Sequence, residues 1–195
     1  AGIVIAPIGG MIFGIALTGI IITLLARRKP AIVNKTFGRL QIISSAWFAL
    51  THGANDGQKT MGIIVLILFS AEMIPELEMP LWVIFAAATA MGLGTFFGGY
   101  KVIKTLGVKV TRLKPYQGFA AETGGGLMLA IFAIFGIPAS TTHAITGSVM
   151  GAGAARRIRA VRWRVSRQII FSWVITIPGA AGLAIAFTYI IHLFV

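Results

Sequence analysis

Three polar groupings interrupt an otherwise apolar chain, and each could do chemistry. The longest is 51-THGANDGQKTMG-62, which sets His52, Asn55, Asp56, Gln58 and Lys59 between LQIISSAWFAL and IIVLILF. Asp56 beside Asn55 offers a carboxylate and an amide carbonyl, hard oxygen ligands that suit a small cation. Gly53 and Gly57 would let the chain leave helical geometry there, freeing backbone carbonyls as further ligands. The plainer alternative is a structural ion pair between Asp56 and Lys59, three residues on, and the two readings can coexist. Lys59 could also attract an anion or snorkel.

The second grouping is 136-GIPASTT-142. Proline followed by Ser/Thr is a helix-start signal. The first turn of such a helix presents unpaired N–H groups and a positive dipole end. With the hydroxyls of Ser140, Thr141 and Thr142 added, the place suits an oxyanion; the alternative is that Ser140 is an N-cap and nothing more. No GxxxxGK[ST] phosphate loop occurs. The third grouping is Glu122 ahead of 124-GGG-126. It reads either as a gating or proton-accepting carboxyl or as a carboxyl bonded between helices that the glycines bring close. Asp56 and Glu122 are the only acids inside apolar segments. An ionisable residue at membrane depth is costly, so function is its default reading. His52 and His143 lie near the first two groupings, but two histidines do not make a metal site, and no cofactor is expected.

The elements that position these groups are membrane helices. The 195 residues are 57% hydrophobic and only 11% charged, with a mean hydropathy of +0.90. Soluble domains run near 45–50% apolar and about 25% charged. The absence of cysteine excludes disulfides and thiolate metal sites. A net charge of +12 invites a nucleic-acid reading, but its distribution argues against one. The basic residues, Lys59 apart, cluster at 27–39, 101–114 and 156–167, between apolar runs. That is the positive-inside pattern of cytoplasmic loops. Glu72, Glu76 and Glu78 share one loop without a basic residue, which suits the opposite face. The segment 156–167 could also contact anionic lipid, beside its simpler role as a positive loop.

The expected architecture is an all-α membrane protein, a transmembrane helix bundle with a broken helix and a re-entrant hairpin. Residues 1–39 form a connecting transmembrane helix and a basic loop. Residues 40–70 form a second apolar segment, about 46 Å long as continuous helix. That exceeds a hydrocarbon core of about 30 Å, so a break is expected at Ala54–Gly57. A helix over 81–106 returns to the basic side. Basic clusters both precede Tyr116 and follow Ala155, so the chain between them must cross an even number of times or dip in and return. A hairpin over 117–155 with its tip at Pro138–Thr142 meets that requirement, with two ordinary spans as the alternative. A final helix over 168–195 crosses outward. Irregular backbone at membrane depth must be buried in protein or line a wet cavity, and paired discontinuous elements point to a transport site.

The residues 52-HGANDGQKTMG-62 followed by 136-GIPASTTHAITGS-148, with the GF-x-x-E element at Gly118–Glu122, resemble the inorganic phosphate transporter (PiT) family. The resemblance covers residues 40–195. It implies cation-coupled phosphate symport, with sodium or a proton as the coupling ion, on a fold of two inverted repeats. Asn55, Asp56 and Thr141 would then hold the cation, a bound sodium ion if sodium is the coupling ion. Ser140, Thr141 and Thr142 would cradle phosphate, with Gln58 and Lys59 as less certain members of that site, and Glu122 would be a transport carboxylate. The family pattern needs two GAND-type and two STTH-type elements, and this sequence has one of each. The chain therefore reads as the C-terminal half, whose partner is a missing N-terminal repeat, with a homodimer as the alternative. The expected location is the plasma (inner) membrane, multi-pass, in contact with lipid and with the C-terminus outside. Two rival functions remain at this point: an intramembrane hydrolase using Ser140, and a structural membrane module without a complete site of its own.

Overall fold

The computed structural model describes residues 2–194. Among the described residues there are six α-helices: α1 (Gly2–Leu24), α2 (Pro30–Ser70), α3 (Leu81–Lys104), α4 (Pro115–Ile134), α5 (Thr141–Ala154) and α6 (Trp163–Phe194). A π-helical stretch, Thr105–Val110, extends α3, and a 3₁₀ turn, Ile158–Ala160, follows α5. The segments Gly2–Leu24, Leu81–Val110, Pro115–Ile134 and Trp163–His192 are long and apolar enough to cross a membrane. The all-helical membrane class expected from the sequence is the class observed.

The chain divides into two units, residues 1–161 and 162–195. The second is the single helix α6, with Pro178 inside it. The first unit is built around α1, α2, α4 and α5. Gly2 lies beside Pro138, Gly10 beside Ala144 and Gly14 beside Ser148, so α1 and α5 run parallel. Gln41 bonds Glu122 and Asn55 reaches Leu129, so α2 and α4 also run parallel. Gln117 bonds Ala152 and Gly124 meets Ser148, so α4 and α5 are antiparallel. This register gathers the end of α1, the start of α4 and the end of α5 at one pole, beside the basic residues at 27–29, 112–114 and 156–157. It places the α4–α5 link at the other.

The α1–α5 seam shows why small residues are needed. A Cβ on Gly147 would collide with the Pro7 carbonyl, and one on Gly151 with that of Met11. Close backbone approach of this kind is the usual role of small residues in membrane helices. Gly53, Gly94 and Gly98 have the same four-residue spacing but meet nothing in this structure. The apolar centre comprises Ala6, Met128, Leu129, Phe132, Ala139 and Ala144, so both arms of the hairpin and α1 contribute.

The expected break at Ala54–Gly57 is not there. Helix α2 runs unbroken for 41 residues, about 62 Å, and absorbs residues 30–39 of the expected basic loop. The physical reason is local. Asn55 Nδ2 donates to the Thr51 carbonyl at 3.0 Å, Thr51 Oγ1 to that of Phe48 at 3.0 Å, and Thr60 Oγ1 to that of Asp56 at 3.2 Å. The polar side chains are thus satisfied on the helix itself. Glycine permits a departure from helix but does not force one.

The discontinuity lies instead at residues 135–140. Helix α4 ends in a Schellman motif: Gly136 has φ +63°, its N–H donates to Ala133 at 3.2 Å, and the Ile137 N–H donates to Phe132 at 2.9 Å. These bonds satisfy carbonyls that the helix end leaves open. Pro138 follows, and Ser140 then caps α5, its Oγ accepting from the His143 N–H at 3.4 Å.

Candidate functional site

The tip of the hairpin meets the middle of α2. Helical spacing puts His52, Asn55, Asp56 and Lys59 on one face, since residues three and four apart are neighbours. That face turns toward the link. Asp56 is the hub: its Oδ2 accepts from Thr141 Oγ1 at 2.8 Å and its Oδ1 accepts from Lys59 Nζ at 2.9 Å. His52 Nδ1 stands 3.4 Å from Asp56 Oδ2. Lys59 Nζ also donates to the Ala139 carbonyl, in the link. One carboxylate and one ammonium therefore tie α2 to the start of α5.

The pair is neither fully buried nor free in solvent. The side chains of Asp56 and Lys59 are 29% and 38% exposed. They open on a cavity of about 350 Å³ whose other walls are Pro138, Ala139, Ser140, Thr141 and Thr142. Thr141 is buried and Thr142 exposed, so the three hydroxyls are presented at different depths. Asn55 is buried beside this cavity and does not line it; its amide donates to the carbonyls of Thr51 and, at 3.4 Å, Leu129. Gln58 is exposed and absent from the cavity wall. It sits two positions from Asp56, on the other side of the helix.

Asp56, Lys59, Ser140, Thr141 and Thr142, distant in sequence, are thus brought together. The ion-pair alternative for Asp56 is realised, alongside its bond to Thr141. Ser140 is an N-cap and also lines the cavity. The Ala139 carbonyl, which grips Lys59, carries no side-chain signal and could not be read from the sequence.

Glu122 lies elsewhere. Ser44 Oγ donates to its Oε2 at 2.5 Å and Gln41 Nε2 to its Oε1 at 3.2 Å. This carboxylate joins α2 to α4 through neutral donors. Gly118 makes room: a Cβ there would run into the Gln41 side chain. Gln41 and Ser44 were not singled out by sequence. Their only signal was a polar face on an apolar helix, about two and three turns before the motif at 51–62.

Residues 23–184 match the phosphate transporter family. The chain belongs to that family. A probable low-affinity inorganic phosphate transporter of Rhizobium meliloti is 47% identical over 180 residues, which are 92% of this chain and 54% of that protein. The one of Bacillus subtilis is 38% identical, over 98% of this chain and 58% of its own length. Among solved structures, a sodium-dependent phosphate transporter superposes with a TM-score of 0.67 at 25% identity, covering 91% of this chain and 53% of that one. The chain therefore spans about half the length of the relatives it matches. Its family and its helices make it part of an integral, multi-pass membrane protein. The family is one of transporters, which sets the hydrolase alternative aside.

Proposed function

We propose that this chain supplies the C-terminal half of a cation-coupled phosphate symporter, and that the coupling cation is sodium. The observation that carries the reading is the constellation Asp56–Lys59–Thr141 at the mouth of a cavity rimmed by the hydroxyls of Ser140, Thr141 and Thr142. The solved relative named for sodium dependence supports sodium over a proton. Phosphate would sit against the α5 N-terminus and its hydroxyls. The cation would take oxygen ligands from Asp56, Thr141 and the neighbouring Asn55. Gln58 has no place in this arrangement.

The coupling follows from charge. Asp56 alone would repel phosphate, and in the observed state it occupies the one ammonium at the site. A cation arriving at the carboxylate displaces Lys59 Nζ, which then faces the anion. Each ion thereby strengthens the binding of the other, as linkage requires. Alternating access would move the missing N-terminal repeat against this one around the shared site. Glu122 acts away from the cavity, holding α2 in register with α4 so that Asp56 faces the hairpin tip. In this reading the protein resides in the plasma membrane, with the basic pole inside and the C-terminus outside.

The test is radiolabelled phosphate uptake into proteoliposomes, comparing this chain with a two-repeat version, under sodium and pH gradients imposed separately. Uptake by the two-repeat protein alone, driven by sodium, is expected. Uptake driven only by a pH gradient would replace sodium with the proton. Uptake by this chain alone would show that copies of it complete the site.

A further inference from the structure

We propose that a second oxyanion site, for a phosphate-type group, lies at the opposite end of the hairpin from the tip. A cavity of about 250 Å³ is walled there by Thr111, Arg112, Lys114, Gln117, Arg156 and Arg157. It is smaller than the roughly 300–1,000 Å³ typical of drug-sized ligand pockets, which suits a headgroup or a small ion. The four cations come from two chain segments, one entering α4 and one leaving α5. No carboxylate lines the cavity. Among the described residues both recorded ion pairs belong to Asp56, so none of these four has an acidic partner. Like charges gathered round one space repel, and an anion that enters it relieves that repulsion.

Two of the walls, Thr111 and Gln117, are buried and fixed, and the four cations stand exposed around them. Gln117 is 5% exposed; its Nε2 donates to the Ala152 carbonyl at 2.9 Å and its Oε1 accepts from the Lys114 N–H at 3.1 Å. These bonds fix the start of α4 to the end of α5. Thr111 is 2% exposed and packs where Gly153 lacks a side chain; a Cβ there would stand 2.9 Å from Thr111 Oγ1. Arg112, Arg156 and Arg157 bring guanidinium groups, whose planar donors match phosphate oxygens in pairs. Helix α5 alone separates this place from the tip by roughly 20 Å, so the two cavities cannot share one ion. The shared chemistry admits two sources, an anionic lipid headgroup or free phosphate on the basic side.

The chain, purified in neutral detergent, would be titrated calorimetrically with short-chain phosphatidylglycerol, short-chain phosphatidylcholine and sodium phosphate. Three variants accompany it: Arg112→Gln with Arg156→Gln inside the cavity, Lys101→Gln with Arg159→Gln outside it, and Asp56→Asn at the tip. Phosphatidylglycerol binding at least tenfold weaker in the first variant alone, with phosphatidylcholine silent, supports the site and names lipid as the source. A phosphate-binding step lost in the first variant and kept in the other two supports it with the free ion as the source. Equal losses in both double variants, or no loss of either anion in the first, would overturn the proposal and leave a diffuse positive surface.

Discussion

Two carboxylates, Asp56 and Glu122, join α2 to the hairpin, and they are held in opposite ways. Along α2, the Ser44 that grips Glu122 and Asp56 itself are roughly 18 Å apart. Asp56 meets a full positive charge and a hydroxyl beside an open cavity. Glu122 meets two neutral donors between packed helices. A charge paired with a side-chain ammonium at an open cavity can change partners when an ion arrives. A carboxyl gripped by neutral donors between packed helices holds those helices in register. The same residue chemistry thus separates into the proposed binding site and the proposed clasp, according to what surrounds it.

The contrast can be broken most sharply at Asp56. Asp56→Asn removes the charge that holds Lys59 and, in the proposed mechanism, the coupling cation, so sodium-driven uptake by the two-repeat protein should fall by about tenfold or more, a change of about 1.4 kcal/mol or greater. Its sodium dependence should flatten as well. Normal coupled uptake at normal expression would refute the role of Asp56.

Thr141→Val comes next. It deletes the hydrogen bond from Thr141 to the Asp56 carboxylate and one oxygen of the proposed cation site. Uptake at low sodium should drop several-fold while saturating sodium partly restores it; Thr141→Ser should behave nearly as the parent. A serine variant as impaired as the valine one would show that the methyl packing matters and the hydroxyl does not.

Glu122→Gln should act through stability. It keeps the shape but weakens the charged acceptor of Ser44 and Gln41, at about 1.5 kcal/mol. The expected result is a lower unfolding temperature in detergent with an unchanged sodium requirement. An altered sodium requirement would move Glu122 from the clasp into the transport site. The smallest effect is expected of Gly118→Ala. Its new methyl pushes Gln41 aside, while the helix gains about 1 kcal/mol of propensity. Thermal stability should move little, and uptake should follow it.

Much of this was legible in the residues themselves. Apolar runs with basic loops required a membrane bundle, because no other arrangement places so few charges so unevenly. The motif at 52–62 and the hairpin signal at 136–142 marked the two halves of the tip site. Proline, Gly136 and the Ser140 cap act locally, so the end of α4 and the start of α5 could be read from sequence. The continuity of α2 could not be. Whether a polar stretch breaks a helix depends on where its side chains find partners, and Asn55, Thr51 and Thr60 found theirs on the helix's own backbone. Nor could the sequence choose between the two carboxylates, because a carboxylate's role depends on which groups the fold sets against it across tens of residues. Composition and local signals determined the class, the pole that carries positive charge and the residues worth testing. Only the packing of α2 on the hairpin decided that Asp56 faces a cavity, that Gln58 does not, and that Glu122 serves another joint.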